Sequence, residues 1–95
     1  MQFYTFENLS ALRGQLLTLT DSQGNQVELE IAHVAQSTLN GTEWSAFALH
    51  LQGQEHVQIP QGCYLFDHPD LGAETLFISP KSHVQYEIIF NKRNS

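Results

Sequence analysis

The sequence predicts a mainly β fold, a compact antiparallel meander of six to seven strands curled into a small barrel or roll with one short N-terminal helix. Three observations predict it. Apolar residues recur at every second position through most of the chain between Val27 and Phe90. Turn-forming residues separate these runs at intervals of roughly 8–12 residues. Helical spacing is confined to the N-terminal segment. An open sandwich is the second choice, and the 95 residues are expected to form a single domain, 1–95.

The helix is predicted over residues 5–13. Thr5 supplies a side-chain oxygen that can cap the free amides of a first helical turn. Leu9 and Leu12 share one face of the segment, and Gly14 is a natural end for it. Because a helix of about two turns is unstable alone, we expect it to cover one end or face of the sheet.

The first half of the chain predicts three strands, separated by turns at residues 21–25 and 40–43. Alternation slips between Ile31 and Val34, which predicts a β-bulge or a bend around His33. The inward positions are expected to be Leu17, Leu19, Val27, Leu29, Ile31, Phe47, Leu49 and Leu51.

The second half predicts a hairpin and a final strand. Residues 61–78 contain two runs rich in Tyr, Phe, Leu and Ile around an Asp-His-Pro-Asp turn. Residues 56–59 form a short extended piece that ends at Pro60, which cannot donate to a ladder. The final strand has the most regular alternation, with Val84, Tyr86, Ile88 and Phe90 inward.

Charge and cysteine content restrict the expected partners and location. The chain has 4 Lys+Arg against 10 Asp+Glu, a formal net charge of -6, which cannot supply the basic face that nucleic acid or an anionic membrane requires. We therefore expect a protein partner, with a homo-oligomer as an open alternative. The single cysteine excludes an intrachain disulfide, and no secretory signal is evident, so the default location is the cytoplasm. Export inside a larger assembly stays open.

Candidate chemistry is sparse, and we expect neither a cofactor nor a metal ion. None of the five histidines has the close spacing typical of a zinc site. Asp67, His68 and Asp70 have groups suited to acid–base work or to a cation, but Asp in a Pro/Gly turn is ordinary turn chemistry. His68 and Asp70 are therefore assigned only to a candidate binding surface. An enzyme or metal protein that uses Asp67, His68 and Asp70 is an alternative.

Cys63 and the aromatic residues complete the candidates. Cys63 lacks a neighbouring base and is expected to be a small buried residue. Phe77 and most other aromatic side chains are assigned to the core by alternation. Trp44 follows a polar turn, and an exposed Trp on a β domain can anchor a sugar or a protein. A carbohydrate-binding module that uses Trp44 is a further alternative.

The order of segments resembles a family of small bacterial proteins classed as a domain of unknown function (DUF6916-like). The resemblance covers nearly the whole chain. It is carried by Phe6-Glu7-Asn8-Leu9, Gly14-Gln15-Leu16-Leu17, Phe47 to Gly53, Pro60 to Tyr64, His68 to Gly72, Phe77-Ile78-Ser79-Pro80 and Tyr86 to Asn91. It implies a β domain without known activity, encoded near phage-tail-collar-like proteins.

These observations together predict a non-enzymatic structural or protein-interaction module. The low charge, the Gln-, Asn- and Thr-rich faces and any sheet edges that the fold leaves open favour it. The resemblance implies an accessory role in a phage-tail-like or surface assembly.

Overall fold

The computed structural model describes residues 3–38 and 44–93, which form one short helix and six strands. The turn predicted at residues 40–43 lies outside the described residues. The elements are α1 (Phe6–Ala11), β1 (Leu16–Thr20), β2 (Gln26–Thr38), β3 (Trp44–Gln52), β4 (Gly62–His68), β5 (Gly72–Pro80) and β6 (Gln85–Arg93).

The six strands close into an antiparallel barrel in the order β1-β2-β3-β6-β5-β4. The predicted small barrel with one short N-terminal helix is therefore confirmed. Two meanders, β1 to β3 and β4 to β6, make up the sheet, and the chain departs from a simple meander only between β3 and β4. That connection, residues 53–61, includes the predicted extended piece 56–59, which is not a strand. It crosses one end of the barrel, where Ile59 is buried and its amide donates to Tyr86 Oη.

Helix α1 lies at the opposite end of the barrel, beside the turn that joins β4 to β5. Thr5 caps it as predicted, because its Oγ1 accepts a hydrogen bond from the Asn8 amide at 3.1 Å. Leu9 is fully buried, and the chain leaves the helix through Gly14 in the left-handed region, at φ +90°. Gly14 then donates its amide to the Ile31 carbonyl at 2.7 Å, which ties the helix exit to β2.

The barrel interior is the hydrophobic core, and alternation selects its members. The predicted inward residues of the final strand are buried or half-buried, and those of β1 to β3 likewise. Tyr86, Phe66 and Leu49 are among the largest side chains that are fully enclosed. Among the residues that the structure describes, no buried side-chain N or O atom lacks a hydrogen-bond partner.

A β-bulge interrupts β2 where alternation slips. The register pairs Ile31 with Leu51 and then His33 with His50, so Ala32 is an extra residue without an opposite partner. The Ala32 carbonyl is satisfied by Arg13, whose Nε donates to it at 3.0 Å. Because the extra residue shifts the phase, His33 points outward and Val34 inward.

The barrel closes weakly between β5 and β6. Within the described ranges, only Ser79↔Glu87 and Pro80↔Tyr86 are paired across this seam, against nine pairs between β3 and β6. Tyr4 lies against the opened part of the seam. Its ring stacks on Phe90 with a centroid distance of 6.5 Å, and its hydroxyl donates to the Gly72 carbonyl at 2.8 Å.

No helix in the described part of the chain is long and apolar enough to span a bilayer.

Candidate functional site

His68 is held inside the protein, so its expected place on a binding surface is corrected. The residue is only 5% exposed, because alternation along β4 turns it inward with Phe66. Its Nδ1 accepts from the Asp70 amide at 3.0 Å, and its Nε2 lies 3.0 Å from Gln15 Oε1. Since Nδ1 accepts, Nε2 carries the proton and donates to Gln15. Both ring nitrogens are therefore engaged in holding the β4–β5 turn against the segment before β1.

The two aspartates do not join His68 in a site. Asp70 is exposed in the turn, and Asp67 is exposed on the outer face of β4, while His68 points inward. Among the described residues, no three His, Cys, Asp or Glu side chains converge in a way that could hold a metal ion. The structure thus does not bring the alternative acid–base or metal set together.

Trp44 begins β3, where its register partner is Arg93. Its side chain lies outside the described part of the structure. The candidate binding role of Trp44 therefore stays a prediction.

Cys63 and Phe77 point outward, so the expectation that both are buried was wrong. They are direct register partners on β4 and β5. Cys63 is exposed, and half of the Phe77 surface, 50%, is open to solvent. The physical reason is that Tyr64 and Phe66 take the inward positions of β4, while Leu76 and Ile78 take those of β5. Both strands carry apolar residues on both faces, so composition alone could not show which of these residues face inward.

Register places these two residues in a longer apolar row on the outside of the barrel. Ile89 pairs with Ala48, and Ala48 pairs with Ala35. The β5–β6 ladder ends at Ser79↔Glu87, and the same register extended by two residues would put Phe77 on the level of Ile89 across the unpaired part of the seam. From β4 to β2 the apolar row contains Cys63, Phe77, Ile89, Ala48 and Ala35. It crosses five strands without a charged group.

The apolar row has both projecting and recessed parts. Ile89 and Phe77 project, at 52% and 50% exposure. A shallow depression of about 440 Å³ lies beside Ile89 on β2, β3 and β6, with Ala46 and Ala48 in its lining. Leu65, 43% exposed, extends the apolar surface on β4. A complementary surface can therefore interlock with the row.

A polar row runs parallel to the apolar row, two residues away. It joins His33, His50 and Glu87, which are direct register partners on β2, β3 and β6. The two imidazole rings are stacked, with centroids 5.7 Å apart and an interplanar angle of 25°. Glu87 lies 3.9 Å from His50 Nε2 and 3.5 Å from Lys81 Nζ.

A cleft of about 390 Å³ opens beside this polar row. The two histidines line it together with Gln52, Gln85 and Lys81, and Tyr86 is among its apolar lining residues. Sequence reasoning missed the histidine pair, because 17 positions separate its members and no short spacing reveals it. The only local signal was the slip in alternation at His33.

Comparison with known proteins gives a family and no function. No curated protein and no solved structure matches the chain. The chain matches the family described as "Domain of unknown function (DUF6916)" over residues 4–90, which includes α1 and most of the barrel. The protein therefore belongs to the DUF6916 family, as the order of its segments predicted.

Proposed function

We propose that this domain is a non-enzymatic protein-interaction module that docks a partner through the apolar row. The observation that carries the proposal is that Phe77 on β5 and Ile89 on β6, two neighbouring strands of a closed barrel, are both half-exposed on its outer face. Single exposed apolar residues are common on protein surfaces, but an uncharged row across five strands is the kind of patch that marks an interface. The family resemblance favours an accessory role in a phage-tail-like or surface assembly.

The energetic contribution of the row to binding can be approximated. Half of a Phe side chain is roughly 100 Å² of apolar surface, and burial contributes about 25 cal/mol per Å². Covering the exposed part of Phe77 therefore contributes about 2.5 kcal/mol, which corresponds to about a 60-fold change in affinity. Ile89 contributes a similar amount, so these two side chains are the expected hot spots.

The charge of the domain selects the partner. The row is neutral, yet the chain carries a net charge of -6. Two copies of the chain would repel each other, whereas a partner with an apolar centre and a basic rim would be attracted. The proposed occupant is therefore a different protein with such a surface, not a second copy.

The test compares substitutions of exposed apolar residues inside the apolar row with a substitution of an equally exposed apolar residue outside it. Phe77→Gln and Ile89→Gln, singly and together, change the apolar row. Leu16→Gln is the matched control, because Leu16 is 50% exposed on β1, outside the row. Each untagged variant is immobilised and used to capture proteins from the native host, with quantitative mass spectrometry and measured affinities for each captured protein.

The proposal predicts a protein with a basic rim that wild type and Leu16→Gln retain and that the double variant loses. Capture that is unchanged in the double variant, or lost equally in Leu16→Gln, contradicts it. Light scattering at high concentration tests whether the partner is a second copy of this chain. A dimer that Phe77→Gln abolishes would overturn the proposed partner.

A further inference from the structure

We infer that His33 and His50 form a two-imidazole binding site for a late first-row divalent ion such as Zn²⁺ or Cu²⁺. The site lies two residues along the strands from the apolar row, and His50 also lines the depression beside Ile89, but the inference does not depend on the proposed interaction function. The two residues are direct register partners on adjacent strands. Their side chains therefore leave the same face of the sheet side by side.

The ring separation suits a shared metal ion. With metal–nitrogen bonds of about 2.0–2.1 Å and a tetrahedral angle, the centroids of two ligating imidazoles lie roughly 5 Å apart. The observed separation is 5.7 Å. Because the rings are stacked at 25°, rotation of the side chains is needed to aim one nitrogen of each at a common point, and the centroid separation is close to the one that a shared ion requires.

The β-bulge is what creates this pair. If β2 continued from Ile31 as a regular strand, with Ala32 paired in the ladder, alternation would turn His33 into the barrel interior. Bulges often re-aim a side chain beside a functional site. Here the bulge directs an imidazole outward onto the partner imidazole, at a position where the cleft leaves room for further ligands.

Glu87 supports His50 from the other side. Its carboxylate lies 3.9 Å from His50 Nε2 and is the next register partner in the polar row. This distance is longer than a hydrogen bond, and the same carboxylate lies 3.5 Å from Lys81 Nζ. Metal-bound histidines commonly donate their second ring N–H to a carboxylate, so we expect Glu87 to close on His50 when the metal binds. Since no third ligating side chain of the described residues converges, water or a donor from a bound partner completes the coordination.

The experiment titrates untagged protein with ZnCl₂ and CuCl₂ alone, by calorimetry and by electron paramagnetic resonance of the copper complex. His33→Gln and His50→Gln remove one ligand each. His83→Gln is the control, because His83 is exposed and lies outside the pair. His33 and His50 both lie at the surface, and circular dichroism checks that each variant folds.

The inference predicts one metal ion per chain, with copper bound more tightly than zinc. Each pair variant should lower the affinity at least about tenfold, and the copper spectrum should change from two coordinated nitrogens to one. His83→Gln should bind like wild type. An affinity that survives in both pair variants, an equal loss in His83→Gln, or no binding to wild type would overturn the inference.

Discussion

The Tyr4 hydroxyl is predicted to stabilise the weakly closed seam of the barrel, and Tyr4→Phe isolates its contribution. The side chain is 4% exposed, and its hydroxyl donates to the Gly72 carbonyl at 2.8 Å. This bond links the segment before α1 to the first residue of β5. The substitution keeps the ring that stacks on Phe90 and removes only the oxygen.

The expected loss at neutral pH follows from that one hydrogen bond. Removing a donor costs about 0.5–1.5 kcal/mol, and the acceptor belongs to an exposed residue, Gly72, so water can replace the donor. We therefore expect Tyr4→Phe to lower the free energy of unfolding by about 1 kcal/mol. For a domain of this size, each kcal/mol lowers Tm by about 4–8 °C. Urea unfolding followed by circular dichroism measures the difference.

Alkaline pH gives a second, independent readout. Burial, together with the nearby charges of Asp67 and Glu74, raises the pKa of Tyr4 from 10.0 to about 12. The neutral hydroxyl thus contributes stability that is complete below pH 10 and is lost as pH rises towards 12. Over that window the wild type should lose stability relative to Tyr4→Phe, with a slope of at most about 1.4 kcal/mol per pH unit.

Tyr64→Phe is the matched control for this prediction. It also removes a hydroxyl that donates to a backbone carbonyl, that of Pro60 at 2.7 Å, but this bond is exposed. We expect a smaller loss at neutral pH, and the alkaline loss of stability should persist because Tyr4 is retained. If Tyr4→Phe unfolds like wild type at neutral pH, or keeps the same alkaline slope, the assigned role of the hydroxyl is refuted.

Three further predictions concern the folded state. Gly53→Ala should lower the free energy of unfolding by about 1–3 kcal/mol, because its Cβ would lie 3.0 Å from Tyr86 Cε2; an unchanged urea midpoint would contradict this. His68→Gln should lower the free energy of unfolding by about 1–3 kcal/mol in the same assay, since two partly buried hydrogen bonds of the buried His68 ring are disturbed. Backbone hydrogen bonding, chiefly from Asn25, holds the pKa of Asp21 below its ordinary value, so its carboxylate contributes stability that disappears as pH falls through the folded-state pKa. Asp21→Asn should therefore be less stable than wild type at neutral pH, and the difference should vanish in acid unfolding experiments.

Local features of the fold could be predicted from the sequence because short-range chemistry decides them. Helix α1 follows its predicted cap, Thr5, and ends at Ala11, two residues before the predicted end at Arg13, because a few neighbouring residues determine a helix boundary. The final strand is similarly clear, because polar and apolar residues alternate along it. Pairing of β3 with β6 is different, since it joins distant segments and leaves no local pattern.

The outer face could not be predicted for a related physical reason. Alternation gives the phase of a strand only when one of its faces is polar, and β5 is apolar at Leu76, Phe77 and Ile78 alike. A shift of one residue would exchange the core and the surface of that strand. The inward residues of its neighbour, Tyr64 and Phe66, resolve the phase only once the pairing is known.

The histidine pair shows how one irregular residue controls surface chemistry. Ile31 and Val34 both point inward, which is impossible for a regular strand because their spacing is odd. The core therefore requires a bulge between them, and the bulge in turn determines that His33 faces outward opposite His50. A packing constraint on two buried side chains thus places two imidazoles together. Packing of the inner face therefore determines which residues lie on the outer face, but this follows only from a strand register that cannot be read from the sequence.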